Sequence, residues 1–384
     1  MKHLYLLGAT GSIGTQVTEI VQANPQAFQI ITLTANDNID KMSGLIEKYH
    51  PQFVAMASLE AAGILQIRHP EVLVGSGEAG LLKAATWNPD DADGMLVNAL
   101  VGMCGLVPTV GAIEIGRQVA LANKETLVIG GGLIMPLCKK HHVALLPIDS
   151  EHSALWQCLK GEDPATVKRL IITASGGAFR DKTREELQMV TTEDALRHPN
   201  WSMGAKITVD SATMMNKGFE VIEAHYLFDL PIDQIETILH PESIVHSLVE
   251  FTDGSVKAQL SAHDMRLPIS YALFYPDRMP NRAPSLDLAS LGKLSFSAMD
   301  FDRFPCLNYA YEAIRKGGVV PCVMNAANEV AVQLFLEHKI TFLAIEQIIR
   351  TAMNQAPLIA EPTLSDLLKI DQTVKAGIIQ NYLK

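Results

Sequence analysis

Through the first 150 residues, short apolar runs alternate with segments whose apolar residues recur every three or four positions. Leu4 to Leu7, Ile30 to Leu33, Phe53 to Met56, Val72 to Val74, Met95 to Val97, Val119 to Leu121 and Val143 to Ile148 read as strands. Strands and helical patterns in alternation predict an α/β fold with a Rossmann-like, doubly wound parallel sheet over residues 1–149. From 150 to 275 the pattern is mixed. Leu170 to Thr173, Ile207 to Val209, Thr237 to Leu239 and Ser255 to Leu260 read as strands among helices, which predicts a central α+β domain. Residues 276–300 carry Pro276, Pro280 and Pro284 with little periodicity and read as a linker. Beyond it, Tyr309 to Arg315, Val323 to Glu337, Phe342 to Met353 and the final twenty residues have helical spacing, predicting a helical domain over 301–384.

Composition narrows the classes of partner. With 384 residues, 48% of them hydrophobic, the chain can bury the cores of two or three domains. It carries 31 basic against 42 acidic residues, a net charge of −11, with no basic block. Nucleic acid and an anionic membrane surface are therefore poor partners. The uncharged run Met95 to Ile113 approaches the length of a membrane helix, but Asn98, Pro108 and three glycines break it, and no membrane span is expected. Five cysteines lack metal or CxxC spacing, and Met1 leads straight into a strand, so a cytoplasmic protein with free thiols is expected.

The first strand runs directly into Gly8-Ala9-Thr10-Gly11-Ser12-Ile13-Gly14 and then a helix with Ile13, Val17, Ile20 and Val21 on one face. Strand, glycine turn and helix are the context in which backbone amides and the helix dipole hold a pyrophosphate. The alternative is a merely tight turn. The second strand ends in Thr34-Ala35-Asn36-Asp37-Asn38, with Lys41 a turn later, and this chemistry leaves NAD and NADP open.

Chemistry-bearing groups recur downstream. The strand Val143 to Ile148 delivers Asp149-Ser150-Glu151, two acids that share one side if extended geometry continues, and Glu220 supplies a third. Three carboxylates suit a hard divalent ion. Capping of the helix near His152 is the competing account of the first two. Ala174-Ser175-Gly176-Gly177 and Asp210-Ser211-Ala212-Thr213 each follow an expected strand, with Asn216 and Lys217 nearby, as in an anion site or as ordinary turn formers. Between them His198-Pro199-Asn200-Trp201-Ser202-Met203-Gly204 reads as a mobile lid or as a loop anchored by a buried Trp.

Taken together with Leu121-Ala122-Asn123-Lys124-Glu125 and Asn325-Ala326-Ala327-Asn328-Glu329, these motifs resemble the 1-deoxy-D-xylulose 5-phosphate reductoisomerase family over essentially the whole chain. The resemblance implies a cytoplasmic homodimer using NADPH and a divalent ion (Mn²⁺, Mg²⁺ or Co²⁺) on a phosphorylated ketose in isoprenoid biosynthesis. The ketose is rearranged by retro-aldol and aldol steps, and the resulting aldehyde is reduced to 2-C-methyl-D-erythritol 4-phosphate. Asp149, Glu151 and Glu220 match the metal ligands, and Ser175, Ser211, Asn216 and Lys217 the phosphate set. Lys124, Ser150 and His198 match other residues of the substrate pocket, with Trp201 and Met203 in a lid over about 175–205. Cofactor contacts are implied for Gly8, Thr10, Gly11, Ser12, Ile13, Gly14, Asn36, Asn38, Asn123, Glu125 and Gly204. The segments then become an NADPH-binding domain (1–149) and a catalytic, metal-binding and dimerisation domain (150–275).

Two positions depart from the family pattern. Asn36-Asp37 stands where a glycine and a basic residue are common, which predicts a weaker preference for NADPH. His263 replaces a common proline before Asp264-Met265. It either packs near the nicotinamide or is a solvated loop residue. Two other functions stay open: a metal-assisted NAD(P) oxidoreductase acting on a phosphorylated hydroxy acid, and a dinucleotide sensor without catalysis.

Overall fold

The computed structural model describes residues 1–201 and 203–382; Ser202 of the expected lid and residues 383–384 lie outside the described residues. In chain order the first elements are β1 (Lys2–Leu7), α1 (Ser12–Ala23), β2 (Phe28–Ala35), α2 (Ile39–Tyr49), β3 (Phe53–Met56), α3 (Leu59–Arg68), β4 (Leu73–Ser76), α4 (Gly77–Ala85), β5 (Gly94–Asn98), α5 (Leu106–Glu114), β6 (Gln118–Leu121), α6 (Lys124–His141), β7 (Leu145–Pro147) and α7 (Ser150–Leu159). There follow β8 (Val167–Ala174), α8 (Thr192–Ala195), α9 (Ala205–Ala212), α10 (Met215–Phe228), β9 (Ile235–Leu239), β10 (Val245–Phe251), β11 (Val256–Leu260), α11 (Arg266–Phe274), α12 (Leu288–Leu291), β12 (Ser297–Ala298), α13 (Pro305–Lys316), α14 (Val320–Leu336), α15 (Phe342–Asn354) and α16 (Leu364–Tyr382).

The chain forms two compact units: residues 1–126, 134–153 and 264–283, and residues 127–133, 154–263 and 284–384. In the first, the seven expected strands form one parallel sheet in the order β4-β3-β2-β1-β5-β6-β7. Leu4 to Leu7 are wholly buried, as a central parallel strand covered on both faces requires. Strand order reverses between β1 and β5, so the Gly8 to Gly14 loop lies at the switch point where such sheets take their ligands. Gly8 has φ +78°, and a Cβ there would stand 2.5 Å from the Ala99 carbonyl oxygen. At Gly14 a Cβ would stand 2.3 Å from the Gly8 carbonyl oxygen, which only a glycine permits.

The second unit holds a mixed sheet in the order β11-β10-β8-β9-β12. Its helices differ from expectation in instructive ways. Ile207 to Val209, expected as a strand, lies inside α9. The β-branched run favours a strand, but packing of Val209 and Ala212 into the core overrides that weak propensity. Extended geometry likewise stops at Asp149, because α7 begins at Ser150. The segment 276–300, expected as a linker, contains α12 and the short β12, which pairs with β9. Residues 301–384 are helical, but they share one apolar cluster with β8, α9 and α10, through Leu307, Met324 and Ile345 among others. They are therefore part of the second unit and form no separate body.

The glycine loop makes a sharp prediction. Gly14→Ala should lower the stability of the first unit by about 1–3 kcal/mol, the usual cost of forcing an extra carbon into a packed site. Gly11→Ala should cost less than about 1 kcal/mol, because its nearest neighbour would be the Gly8 oxygen at 3.4 Å, an ordinary contact. Denaturant unfolding of both variants checks this; equal losses would mean that the Gly8–Gly14 approach is not what holds the loop.

Candidate active site

In the first unit the N-terminus of α1 has no side-chain cap, so its amides are left for an external acceptor. Thr34 Oγ1 accepts from the Gly8 amide at 3.1 Å and fastens the loop to β2. Gly11 and Ser12 are exposed, while Thr10 and Ile13 are half-buried. Asn38 caps α2 by accepting from the Lys41 amide at 3.0 Å, and Asn36 and Asp37 are exposed beside it. Lys41 bends back onto the glycine loop, where its Nζ donates to the Thr10 carbonyl (2.7 Å) and Thr15 Oγ1 (2.8 Å). The cation that the sequence places near Asp37 is thus fixed beside the loop.

Asn123, Lys124, Glu125 and Thr126 form a run of four consecutive buried polar residues at the start of α6. Asn123 caps the helix through Oδ1, and its Nδ2 donates to the Leu100 and Gly102 carbonyls and to Glu125 Oε2 at 2.9–3.1 Å. That saturated amide aims the next residue: Lys124 Nζ pairs with Asp149 Oδ2. Asp149 Oδ1 accepts from the Glu151 amide (3.2 Å) and lies 3.2 Å from the wholly buried His152 ring. The capping account therefore holds for Asp149, which is also ion-paired to Lys124. Ser150 Oγ donates to Glu151 Oε2 at 2.5 Å. Farther along the unit, burial opposes ionisation of Asp264, but the Arg266 guanidinium outweighs it and holds the carboxyl below its ordinary range.

In the second unit Ser175 follows β8, and its hydroxyl lies 3.1 Å from His198 Nε2. His198 Nδ1 accepts from the amides of Asn200 and Trp201 at 3.2 and 2.9 Å. An acceptor at Nδ1 puts the proton on Nε2, which therefore donates to Ser175. The same loop is anchored by Asn200 Nδ2, donating to the Pro241 carbonyl (2.7 Å) and Ser243 Oγ (2.9 Å). Trp201 is half-buried, with the His263 ring edge-on at 5.4 Å. His263 is exposed, yet its Nε2 lies 2.9 Å from the Glu242 carbonyl oxygen, so it is a packed loop residue. Met203 is half-buried and Gly204 is the exposed N-cap of α9.

Ser211 lies in the last turn of α9, half-buried, and so is offered by a helix end instead of a strand end. Met214, in the left-handed conformation at φ +64°, turns the chain from α9 into α10. Asn216, Lys217 and Glu220 follow on α10. Glu220 is almost wholly buried: its Oε1 accepts from Asn216 Nδ2 at 2.6 Å and its Oε2 pairs with Lys217 Nζ. Sequence reasoning missed His152, although it adjoins the acid pair, and Asn200, which no spacing rule marks as an anchor.

Comparison with known proteins gives consistent matches. Residues 4–131 match the model of a family described as 1-deoxy-D-xylulose 5-phosphate reductoisomerase, and residues 145–228 and 260–377 match two C-terminal domain models of the same enzyme. The chain is 53% identical to the 1-deoxy-D-xylulose 5-phosphate reductoisomerase of Bacillus subtilis (strain 168) over all of both chains. It is 52% identical to that of Bacillus cereus (strain Q1), covering 99% of this chain and all of the relative. Its fold is similar to the enzyme of Zymomonas mobilis in complex with NADPH (40% identity, TM-score 0.92, 99% of each chain). It is also similar to a reductoisomerase in complex with NADPH, fosmidomycin and magnesium (39% identity, TM-score 0.94, 100% of this chain and 98% of that one).

The buried ion pair on α10 carries its own prediction. Lys217→Met takes from the buried Glu220 carboxylate the cation it is paired with and should lower stability by about 3 kcal/mol, whereas the double variant with Glu220→Gln should recover much of the loss. A double-mutant cycle measured by denaturant unfolding checks it, and simple additivity would show that the two charges do not support each other.

Proposed function

The chain belongs to the 1-deoxy-D-xylulose 5-phosphate reductoisomerase family, and from that membership and its paired acids and lysines we propose how it works. It is an NADP-dependent oxidoreductase that rearranges and reduces 1-deoxy-D-xylulose 5-phosphate to 2-C-methyl-D-erythritol 4-phosphate in isoprenoid biosynthesis, with NADPH and a divalent metal ion. The observation that carries the residue roles is the pattern of charge compensation: Lys124 on Asp149 and Lys217 on Glu220.

Asp149, Glu151 and Glu220 would hold the ion. All three are hard oxygen donors, the kind such an ion prefers. When bound, a divalent ion supplies Lewis acidity that polarises the ketose carbonyl. Ser150 donates to Glu151 and so sets the direction of that carboxylate. Ser175, Ser211, Asn216 and Lys217 would bind the phosphate. An ammonium is a strong charge-assisted donor, which suits Lys217 to a phosphate oxygen. His198 orients the Ser175 hydroxyl and holds the loop of Trp201 and Met203, which would exclude water from the hydride step. Gly8, Thr10, Gly11, Ser12, Ile13 and Gly14, with Asn36, Asn38, Asn123, Glu125 and Gly204, would contact NADPH. Lys41 supplies positive charge beside the glycine loop.

The proposal extends to a homodimer built on the central segment 150–275, manganese and cobalt as alternatives to magnesium, and a cytoplasmic location. None of the five cysteines forms a disulfide, and no helix among the described residues is long and apolar enough to cross a membrane. Sedimentation and cell fractionation test the first and last of these.

The deciding experiment incubates purified protein with deoxyxylulose phosphate, NADPH and Mg²⁺ or Mn²⁺, follows nicotinamide absorbance and identifies the product by NMR. An unrearranged alcohol would favour a simple oxidoreductase. Activity should vanish in excess chelator, and Glu220→Gln should raise the metal concentration needed for half-maximal rate by at least tenfold; full activity in chelator would remove the acids from the metal role. Asp37→Lys should raise the preference for NADPH over NADH roughly ten- to a hundredfold, the scale of one charge-assisted contact. An unmoved ratio would place Asp37 away from the ribose phosphate.

A further inference from the structure

Asp210 adjoins the phosphate-binding candidate Ser211 on α9, and its carboxyl is almost wholly buried. Such a group must be matched within the protein. Lys206, one turn earlier on the same helix, lies 3.0 Å from Oδ2. On Oδ1 the donor comes from 118 positions away: Asn328 Nδ2, in the middle of α14, at 2.8 Å. Asn328 is wholly buried, an expensive place for an amide unless it has a specific task.

The helix it reaches needs such a tether. α9 has eight residues and no side-chain cap at Gly204, and a helix this short does not hold its place alone. Apolar contacts of Val209 and Ala212 bury it, but they fix its rotation and axial position less sharply than a directed hydrogen bond does. Rotation matters here because the Ser211 backbone is in close register with the Ser175-Gly176-Gly177 turn: a Cβ on Gly177 would stand 2.4 Å from the Ser211 carbonyl oxygen. A small turn of α9 therefore shifts one hydroxyl of the pair against the other. A loosened Asp210 would also shift a carboxylate beside the site of a phosphate dianion.

We propose that Asn328 is a positioning residue for the phosphate subsite, acting through Asp210: it holds the last turn of α9 in the register that presents the Ser211 hydroxyl beside Ser175. This inference rests on the reading of Ser211 as a phosphate donor. It gives the Asn325-Ala326-Ala327-Asn328-Glu329 motif of the C-terminal helices a role in substrate binding without a contact to substrate.

The test uses the full-length enzyme and compares wild type with Ser211→Ala, Asn328→Ala, Asn328→Asp and the exchange Asp210→Asn with Asn328→Asp. For each, kcat, KM for deoxyxylulose phosphate, KM for NADPH, the inhibition constant of inorganic phosphate and the melting temperature are measured. Asn328→Ala should raise KM for the ketose phosphate and the phosphate inhibition constant by about tenfold, the scale of one lost hydrogen bond to a charged group, with kcat and KM for NADPH within about threefold. Asn328→Asp sets two carboxylates together and should weaken phosphate further. The exchange restores a donor facing an acceptor and should recover most of the phosphate affinity. A lower melting temperature with unchanged phosphate binding in Asn328→Ala would overturn the proposal, as would failure of the exchange to improve on Asn328→Asp, a comparison that stands even if Asn328→Ala does not fold. Unchanged phosphate inhibition in Ser211→Ala would instead sink the reading of Ser211 itself, and with it the inference.

Discussion

A carboxylate withdrawn from water costs several kcal/mol unless a cation and hydrogen bonds meet it, and the candidate residues of each unit are organised by that constraint. In the second unit Glu220 is matched by Lys217 and Asn216 from the turn before it. In the first, Asp149 is matched by Lys124 across two strand ends and by the amides that open α7. Such sites are costly to build and sensitive to loss of one partner. They also have a chemical use: an acid already facing a cation can accept a different positive charge without being left bare at any stage. The lysines and the proposed metal are thus alternative answers to one electrostatic requirement.

The nucleotide half depends on a steric constraint instead. The backbone between Gly8 and Gly14 folds so closely on itself that a single methyl group would collide with it. This compactness brings the uncapped amides of α1 to the end of a fully buried strand, at the point where the sheet reverses its order. Lys41 then adds charge without adding bulk to the loop, since its long side chain approaches from α2.

Patterns of period two and period 3.6 made the first unit legible, because each parallel strand is an unbroken apolar run between turn residues. The acids, the glycine loop and the hydroxyl clusters were visible as well, since their residue types carry chemistry at short spacing. What could not be read were features that depend on distant partners. Ile207-Thr208-Val209 has strand propensity and becomes helix because the core lies on one side of it. Lys217, which from its neighbour Gly218 could pass for a flexible side chain, is buried against Glu220. The segment after Pro284 supplies an edge strand that its own composition does not suggest, and the C-terminal helices have too little independent core to separate.

That last point follows from the geometry of α10. At 100° per residue, Asn216, Lys217 and Glu220 fall within about 100° of one another on the helix, and Met215, Phe219 and Ile222 fall on the opposite side. The second set is wholly or almost wholly buried. A helix whose one face carries the proposed ligand groups must pack its other face, and α13 helps to supply that cover: a Cβ on Gly218 would stand 2.8 Å from that of Ala310. Separating the C-terminal helices would expose the apolar face of α10 and release the helix that orients the phosphate and metal candidates. In this protein the helices that contain no expected ligand are therefore the support against which the ligands are aimed, and their place in the same core as the site is a requirement of the chemistry.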